Sequence, residues 1–266
     1  MSLRKRIGLM VPSTNTTCEA DFQMVVPRGI TVHGQRLWLT NEGTGDEVFN
    51  RMNAEIEDGA RYLATAKVDV IVYGCTTGSF FRGPGWDHEM RDMIQRAAGV
   101  PAVPTSPSVI EALRVFGARR ISVATPYPDW NNRKLRAYLE AQGFEVLNVE
   151  GEPHAAAAGN QGINDQDPES VVEFASRACR PEADALLCSC TAWRSVEAVA
   201  AIEARTGKPV VTSNQSTIWA SLRVLGVTQP VVGFGHLLER LAGLPRRREP
   251  TRGVGLREGA GARPHP

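Results

Sequence analysis

The chain has 266 residues, of which 42% are hydrophobic and 22% are charged, values that are typical of globular proteins and argue against a disordered or membrane-embedded chain. Thirty lysines and arginines against 29 aspartates and glutamates leave a net charge of +1, which predicts neither nucleic acid nor an anionic membrane as a partner. A small molecule is therefore the expected ligand. The apolar run 7–11 is too short for a signal peptide and ends at Pro12, so we expect no export signal and no membrane span.

Five cysteines are dispersed along the chain without the dense spacing of a disulfide framework. An odd number of scattered thiols is typical of a reducing compartment, so we expect a cytoplasmic protein with free thiols that are available for chemistry. The pair Cys188-x-Cys190 lacks the C-x-x-C spacing of zinc ribbons and has no second pair to accompany it. We therefore predict no metal site.

Short apolar runs rich in β-branched residues alternate with longer amphipathic stretches along the chain. The predicted strands are 7–11, 30–32, 68–73, 121–124, 145–149, 185–188, 209–211 and 231–234. The predicted helices are 47–65, 86–98, 107–116, 131–142, 168–180, 195–206 and 215–225, several of which end at glycine. This alternation predicts an α/β fold with mostly parallel sheets that are covered on both faces.

The two halves of the chain show the same spacing, which indicates an internal duplication. In each half, a strand that ends in proline precedes a strand that ends in Cys-Thr. Ile7 precedes Cys75 by 68 positions, and Ile121 precedes Cys190 by 69. We predict two similar lobes, residues 1–106 with 214–244 and residues 107–213, followed by a disordered tail at 245–266. Ligands bind beyond the carboxyl ends of parallel strands, so both cysteines should face one cleft.

The segment Gly74–Ser79 follows an apolar strand and offers hydroxyl and backbone N–H groups to an anion. A cysteine that opens such a turn experiences positive potential, which predicts a lowered pKa for Cys75. The alternative is an inert cysteine buried at a strand end. A second copy of the motif at Cys190-Thr191 favours a catalytic role for Cys75 over an inert, buried thiol. Strand alternation does not distinguish Cys188 from Cys190, but the duplication aligns Cys190 with Cys75.

Polar loops after the first strand of each half supply further candidate contacts for a carboxylate. The amide of Asn15 is the most direct candidate in the first loop, although the same residues are typical of a helix N-terminus, with a capping box between Thr16 and Glu19. In the second loop Tyr127 could offer its hydroxyl or simply pack. The stretch 159–165 reads as a loop over the cleft. None of the five histidines is spaced to pair with either cysteine.

Three motifs together resemble the aspartate/glutamate racemase superfamily, and within it the maleate cis-trans isomerase group. They are Val11–Thr17, Gly74–Ser79 and Cys190-Thr191. The resemblance covers about residues 5–235. The cysteine motifs mark the superfamily, and the Asn-Thr-Thr loop at 15–17 is the more specific sign. The resemblance implies two pseudo-symmetric α/β lobes with the active site between them, no cofactor, a small dicarboxylate substrate, and a homodimer or higher homo-oligomer.

The resemblance also implies roles for individual residues. Cys75 is the expected nucleophile and Cys190 the expected proton donor, acting from opposite faces of the substrate. The expected substrate contacts are Asn15, Thr76, Thr77, Tyr127, Asn164 and Thr191. The implied reaction converts maleate, or a similar cis-enedioate, into fumarate through a covalent cysteine adduct.

Three other functions stay open at this point. A two-cysteine amino-acid racemase or epimerase is weakened because Cys190 is followed by Thr-Ala-Trp and not by the Thr-His of glutamate racemases, and because the first loop lacks their Asp-Ser-Gly. Arylmalonate decarboxylases keep only the second cysteine, so Cys75 weakens that alternative. A non-catalytic small-carboxylate binding protein is possible on the same scaffold, since a fold does not fix a function.

Overall fold

The structure is a computed structural model that describes residues 4–40, 42–43 and 45–241. Its strands are β1 (Lys5–Pro12), β2 (Ile30–Leu37), β3 (Val70–Tyr73), β4 (Ala102–Pro104), β5 (Arg120–Thr125), β6 (Glu145–Gly151), β7 (Ala185–Cys188) and β8 (Val210–Thr212). Its helices are α1 (Cys18–Val25), α2 (Gly45–Asn53), α3 (Ile56–Thr65), α4 (Thr76–Phe80), α5 (Trp86–Ala98), α6 (Thr105–Val115), α7 (Asp129–Ala141), α8 (Pro153–Asn164), α9 (Pro168–Ala178), α10 (Ser195–Thr206), α11 (Ser213–Val224) and α12 (His236–Glu239).

The strands form two parallel four-stranded sheets with the same strand order. The order is β2-β1-β3-β4 in the first sheet and β6-β5-β7-β8 in the second. Ile7 of β1 pairs with Val70 of β3, and at the matching place Ile121 of β5 pairs with Ala185 of β7. The predicted α/β fold of two similar parallel-sheet lobes is therefore confirmed, and the matched spacing of the two halves has a structural counterpart.

One hydrophobic core includes buried residues from both sheets, among them Leu9 of β1 and Val123 of β5. Helices α1, α6 and α11 meet at this core, since α11 contacts both α1 and α6. Trp193 and Trp219 are fully buried in the same cluster. This shared packing fixes the carboxyl ends of β3 and β7 relative to each other. The proposed lobe boundaries stay a prediction, and the predicted tail 245–266 lies outside the described residues.

Several predicted elements differ from the observed ones. The predicted strand 231–234 is wrong: Gly233 and Gly235 adopt positive φ angles of 94° and 80°, which give a turn before α12. The predicted loop 159–165 is mostly the second half of α8, which is kinked where Gly159 has φ 67°. The predicted helix 47–65 is two helices, because the chain turns at residues 54–55. The short buried strand β4 was not predicted.

No helix in the described ranges is both long enough and apolar enough to span a lipid bilayer.

Candidate active site

Cys75 and Cys190 occupy equivalent positions, each two residues beyond the last residue of a central strand. Cys75 is the N-cap of α4, where its Sγ accepts a hydrogen bond from the backbone N–H of Gly78 at 3.4 Å. Cys190 follows β7, and its Sγ accepts from the N–H of Ala192, also at 3.4 Å. Each thiol is thus held at a strand end by a backbone donor that would stabilise its thiolate form.

A cavity of about 480 Å³ lies between the carboxyl ends of the two sheets. Its lining includes seven of the eight residues that were predicted for the site: Asn15, Cys75, Thr76, Thr77, Tyr127, Cys190 and Thr191. These seven come from four loops that are far apart in the sequence, and the duplicated topology brings them together. The volume is sufficient for a small dicarboxylate.

The amide of Asn15 has a fixed orientation. Its Oδ1 accepts the backbone N–H groups of Thr17 at 3.0 Å and Cys18 at 2.9 Å, so its Nδ2 must point the other way. Nδ2 donates to the hydroxyl of Thr191 at 3.1 Å, across the cleft. Because Nδ2 carries two hydrogens, one stays available to a ligand carboxylate.

The predicted capping box between Thr16 and Glu19 is wrong. Glu19 pairs with Arg36, and the side-chain oxygen of Asn15 accepts the backbone N–H groups at the start of α1.

Replacing Asn15 with aspartate tests this donor. The aspartate keeps an acceptor for the Thr17 and Cys18 N–H groups but loses the Nδ2 donor and adds a negative charge facing the substrate. We expect kcat/KM to fall by about 10²-fold or more, with little change in melting temperature. Steady-state kinetics and thermal melts monitored by circular dichroism measure both. A variant that keeps wild-type kcat/KM would show that Asn15 does not contact the substrate.

Asn164 does not line the cavity, and every hydrogen-bonding atom of its amide is engaged. Its Oδ1 accepts from the backbone N–H of Thr16, and its Nδ2 donates to the carbonyls of Thr14 at 2.9 Å and Asn160 at 2.8 Å. The side chain therefore ties α8 to the loop that carries Asn15. Its role as a direct substrate contact stays a prediction.

Burial determines the protonation of both thiols. Desolvation raises the pKa of Cys75 to about 12, although the Gly78 N–H group and the Tyr73 hydroxyl oppose this increase. Burial likewise raises the pKa of Cys190 to about 11, against the backbone donor at Ala192 and the hydroxyl of Tyr127. The predicted lowering of the Cys75 pKa is therefore wrong, because the Gly78 N–H group and the Tyr73 hydroxyl do not offset the loss of water around the thiol.

The cavity presents neutral donors to its ligand. Among the described residues that line it, none is Asp, Glu, Lys, Arg or His. Burial raises the pKa of Tyr127 well above its usual value, so its hydroxyl keeps its proton at neutral pH. Within the described ranges, no group of three or more His, Cys, Asp or Glu side chains is placed to hold a metal ion.

Two residues of this site were missed by the sequence analysis. Asn131 lines the cavity and donates from Nδ2 to the hydroxyl of Thr77 at 2.8 Å. Ser213, at the start of α11, accepts a hydrogen bond from the Thr76 hydroxyl at 2.9 Å and so holds the Cys75 turn from the other half. Asn131 follows Tyr127 in a polar loop, and this proximity was the one signal in the sequence that could have revealed it.

Comparisons with known proteins agree with this arrangement. Residues 7–238 match the family model described as arylmalonate decarboxylase. The chain belongs to the arylmalonate decarboxylase family. Curated relatives of this chain include a maleate isomerase of Pseudomonas putida, 30% identical over 88% of this chain and 96% of that protein. An arylmalonate decarboxylase of Bordetella bronchiseptica is 29% identical over 88% of this chain and 96% of that protein.

Solved structures show that the similarity of this chain to maleate isomerases extends to the three-dimensional fold. A cysteine-to-serine variant of the Nocardia farcinica maleate cis-trans isomerase, with a covalently bound succinylcysteine intermediate, superposes with a TM-score of 0.82. It is 27% identical to this chain, and the match covers 88% of this chain and 98% of the other. The resemblance to maleate isomerases of the aspartate/glutamate racemase-like superfamily is thus confirmed.

Proposed function

We propose that this protein isomerises maleate, or a similar cis-enedioate, to the trans isomer through a covalent adduct of Cys75. The observation that carries the proposal is the pair of thiols at equivalent strand ends in one cavity, Cys75 and Cys190. The covalent succinylcysteine in the structurally similar isomerase supports a cysteine adduct as the intermediate.

The first step joins the Cys75 sulfur to one alkene carbon. The thiolate supplies the electron pair of the new S–C bond, and the π electrons move onto the carboxylate at the neighbouring carbon. Neutral donors such as the Thr77 hydroxyl would stabilise this developing charge, and each such donor is worth about 10²–10³-fold in rate. Proton transfer from the Cys190 thiol to that carbon completes a succinyl adduct and leaves Cys190 as the thiolate.

Rotation and reversal complete the reaction. The former double bond is single in the adduct, so the two carboxyl groups can rotate to the trans arrangement. The Cys190 thiolate then removes the same proton, the double bond re-forms, and the Cys75 sulfur leaves as thiolate. Each group returns to its starting state, so the cycle consumes no oxidant, reductant or cofactor.

The lining of the cavity favours isomerisation over amino-acid racemisation. A racemase must hold the ammonium group of its substrate, for which a carboxylate partner is the usual solution. The described lining residues include neither Asp nor Glu, whereas donors for a carboxylate are present at Asn15, Thr77 and Tyr127. An α-amino acid would therefore bind with its ammonium desolvated and unpaired.

Proton NMR of the purified protein with maleate in deuterated buffer tests the proposal. We expect the maleate vinyl signal to be replaced by that of fumarate. Turnover of aspartate with deuterium incorporation at Cα, and none with maleate, would contradict isomerisation and favour the racemase. Loss of carbon dioxide from a malonate, with no change in maleate, would favour a decarboxylase.

We also propose that the protein is a cytoplasmic homodimer. All five cysteines are free, which suits a reducing compartment. Trp38 and Tyr62, from the first half of the chain, expose 61% and 64% of their surface, as residues at a subunit interface do before association. Size-exclusion chromatography with light scattering should give twice the 28.9 kDa chain mass, and a monomer mass would contradict the dimer.

A further inference from the structure

The backbone donor that holds Cys190 does not belong to a helix. Cys75 opens α4, and its donor, the N–H of Gly78, lies within that helix. The donor to Cys190 is the N–H of Ala192, which lies in an irregular turn before α10 begins at Ser195. Regular helical hydrogen bonds therefore orient the donor at the first thiol but not the donor at the second.

A single peptide group links the Cys190 sulfur to Asn214. The N–H of Ala192 and the carbonyl of Thr191 belong to the same peptide, which is planar and trans, so the two groups point in opposite directions. The N–H donates to Sγ of Cys190 at 3.4 Å, and the carbonyl accepts from Nδ2 of Asn214 at 2.9 Å. A hydrogen bond at the carbonyl polarises the peptide and strengthens its N–H as a donor. Asn214 thus fixes the plane of the peptide that serves Cys190.

Asp21 holds the Asn214 amide in this orientation. Nδ2 of Asn214 also donates to Oδ2 of Asp21, at 2.7 Å. The carbonyl of Thr191 can only accept, so a 180° rotation of the amide would place Oδ1 against an acceptor and break the bond to the turn. Hydrogen bonds to an ionised carboxylate are stronger than neutral ones, and this pair is buried. The contact with Asp21 therefore resists such a rotation.

Stability alone does not explain the Asp21–Asn214 pair. Asp21 is 2% exposed, and Arg194, which attracts its charge, forms an ion pair with Glu197. Asn214 is fully buried, and its Oδ1 has no hydrogen-bond partner within the described ranges. Two apolar side chains of similar size would avoid both costs. Among the described residues neither member of the pair lines the cavity, so the contact through which the pair can act on the site is the Thr191 carbonyl.

We propose that Asn214 is a positioning residue for Cys190 and that Asp21 holds it in place. Its bond to the peptide carbonyl keeps the Ala192 N–H directed at Sγ. In the proposed isomerisation Cys190 becomes a thiolate when it protonates the substrate carbon, and this N–H stabilises that thiolate. The effect on turnover rests on the proposed function, whereas the effect on the thiol does not.

Alkylation of Cys190 tests the proposal without any substrate. Cys75→Ala serves as the parent protein, so that Cys190 is the one thiol among the described residues that line the cavity. Burial raises the pKa of Cys190 to about 11, so its rate with iodoacetamide at pH 9 is proportional to a small thiolate fraction. We expect Asn214→Ala to lower this fraction, and with it the rate, by about tenfold. Mass spectrometry of the peptide that contains Cys190 measures the rate.

The matched control is Ser213→Ala, at the residue before Asn214. Ser213 accepts a hydrogen bond from Thr76 in the other cysteine turn, so its loss should leave the alkylation of Cys190 unchanged. Asp21→Asn preserves the size of the side chain and an acceptor for Asn214 but removes the charge. This variant should slow alkylation by less, about threefold. A parental rate in a folded Asn214→Ala variant, or in Asp21→Asn if the first variant does not fold, would overturn the inference.

Turnover separates this inference from the proposed function. In the protein that retains Cys75, Asn214→Ala should lower kcat for maleate by about tenfold and change KM by less than about twofold, because Asn214 is not among the described residues that line the cavity. Slower alkylation in the variant, with no isomerisation of maleate by the wild type, would support the positioning role and refute the proposed function. Unchanged alkylation with normal isomerisation by the wild type would do the reverse.

Discussion

Replacement of Cys75 by alanine is expected to lower kcat for maleate by at least about 10⁴-fold, because the variant loses the atom that bonds to the substrate. Proton NMR and single-turnover measurements would quantify the loss. The matched control is Cys179→Ala, which removes a half-buried thiol that does not line the cavity. Near-wild-type activity of Cys75→Ala would exclude a covalent adduct at this position.

The partner variant Cys190→Ala distinguishes the two thiols. In the proposed reaction Cys190 is both the acid that protonates the neighbouring carbon and the base that later removes this proton. We therefore expect turnover to fall in Cys190→Ala, while Cys75 keeps its ability to bond to the substrate. Intact-protein mass spectrometry after incubation with maleate should then detect chains heavier by one maleic acid. An adduct that maps to a different cysteine after proteolysis would reverse the assigned roles.

The rate should increase steeply with pH. Burial raises the pKa of Cys75 to about 12, so the thiolate is a minor form at neutral pH and its fraction increases tenfold for each pH unit below that value. Because kcat/KM reports on the free enzyme, its logarithm should increase with a slope near one, or about 10³-fold between pH 7 and pH 10. Alkylation of Cys75 by iodoacetamide at pH 7.5 should be slower than that of a free thiol.

The carboxyl group of Asp21 titrates near the lower end of the same pH range, so the pH experiment needs a control for it. Asp21 is 2% exposed, and burial raises its pKa to about 7. It accepts a hydrogen bond from Asn214, which also donates to the carbonyl of Thr191 in the cavity. The variant Asp21→Asn should show the same slope between pH 8 and pH 10. A plateau of kcat/KM above pH 7 in both proteins would show that the reactive thiol has a lowered pKa in solution, contrary to the expectation from burial.

The sequence was sufficient for the α/β architecture and for placing Cys75 and Cys190 at one cavity, because both depend on local patterns that recur. Apolar runs separated by amphipathic stretches encode parallel strands with helical connections. The spacings from Ile7 to Cys75 and from Ile121 to Cys190 encode the duplication that brings the thiols together. β4 was missed because three residues are too few to show a period. The break between α2 and α3 has no glycine or proline in it to mark it.

The structure was needed wherever the answer depends on contacts between distant segments. The pKa of Cys75 has the opposite direction from the predicted one, since the extent of desolvation depends on everything packed around the turn and not on the turn itself. Asn164 secures the loop at Thr14 and Thr16, about 150 positions away, and no local pattern predicts such a partner. Asn131 looks like an ordinary polar residue of a helix start until α7 is placed against Thr77.

By itself, then, the sequence of this protein determined its alternation of strands and helices, its duplication and its two cysteines at strand ends, because period and spacing are properties of the chain alone. The tertiary structure decided the direction of the pKa shifts of the two thiols and the orientation of the Asn15 and Asn164 amides. The pKa shifts depend on how much water is excluded from the thiols, and the amide orientations depend on which hydrogen-bonding groups lie opposite them. Folding sets both by bringing distant segments of the chain together.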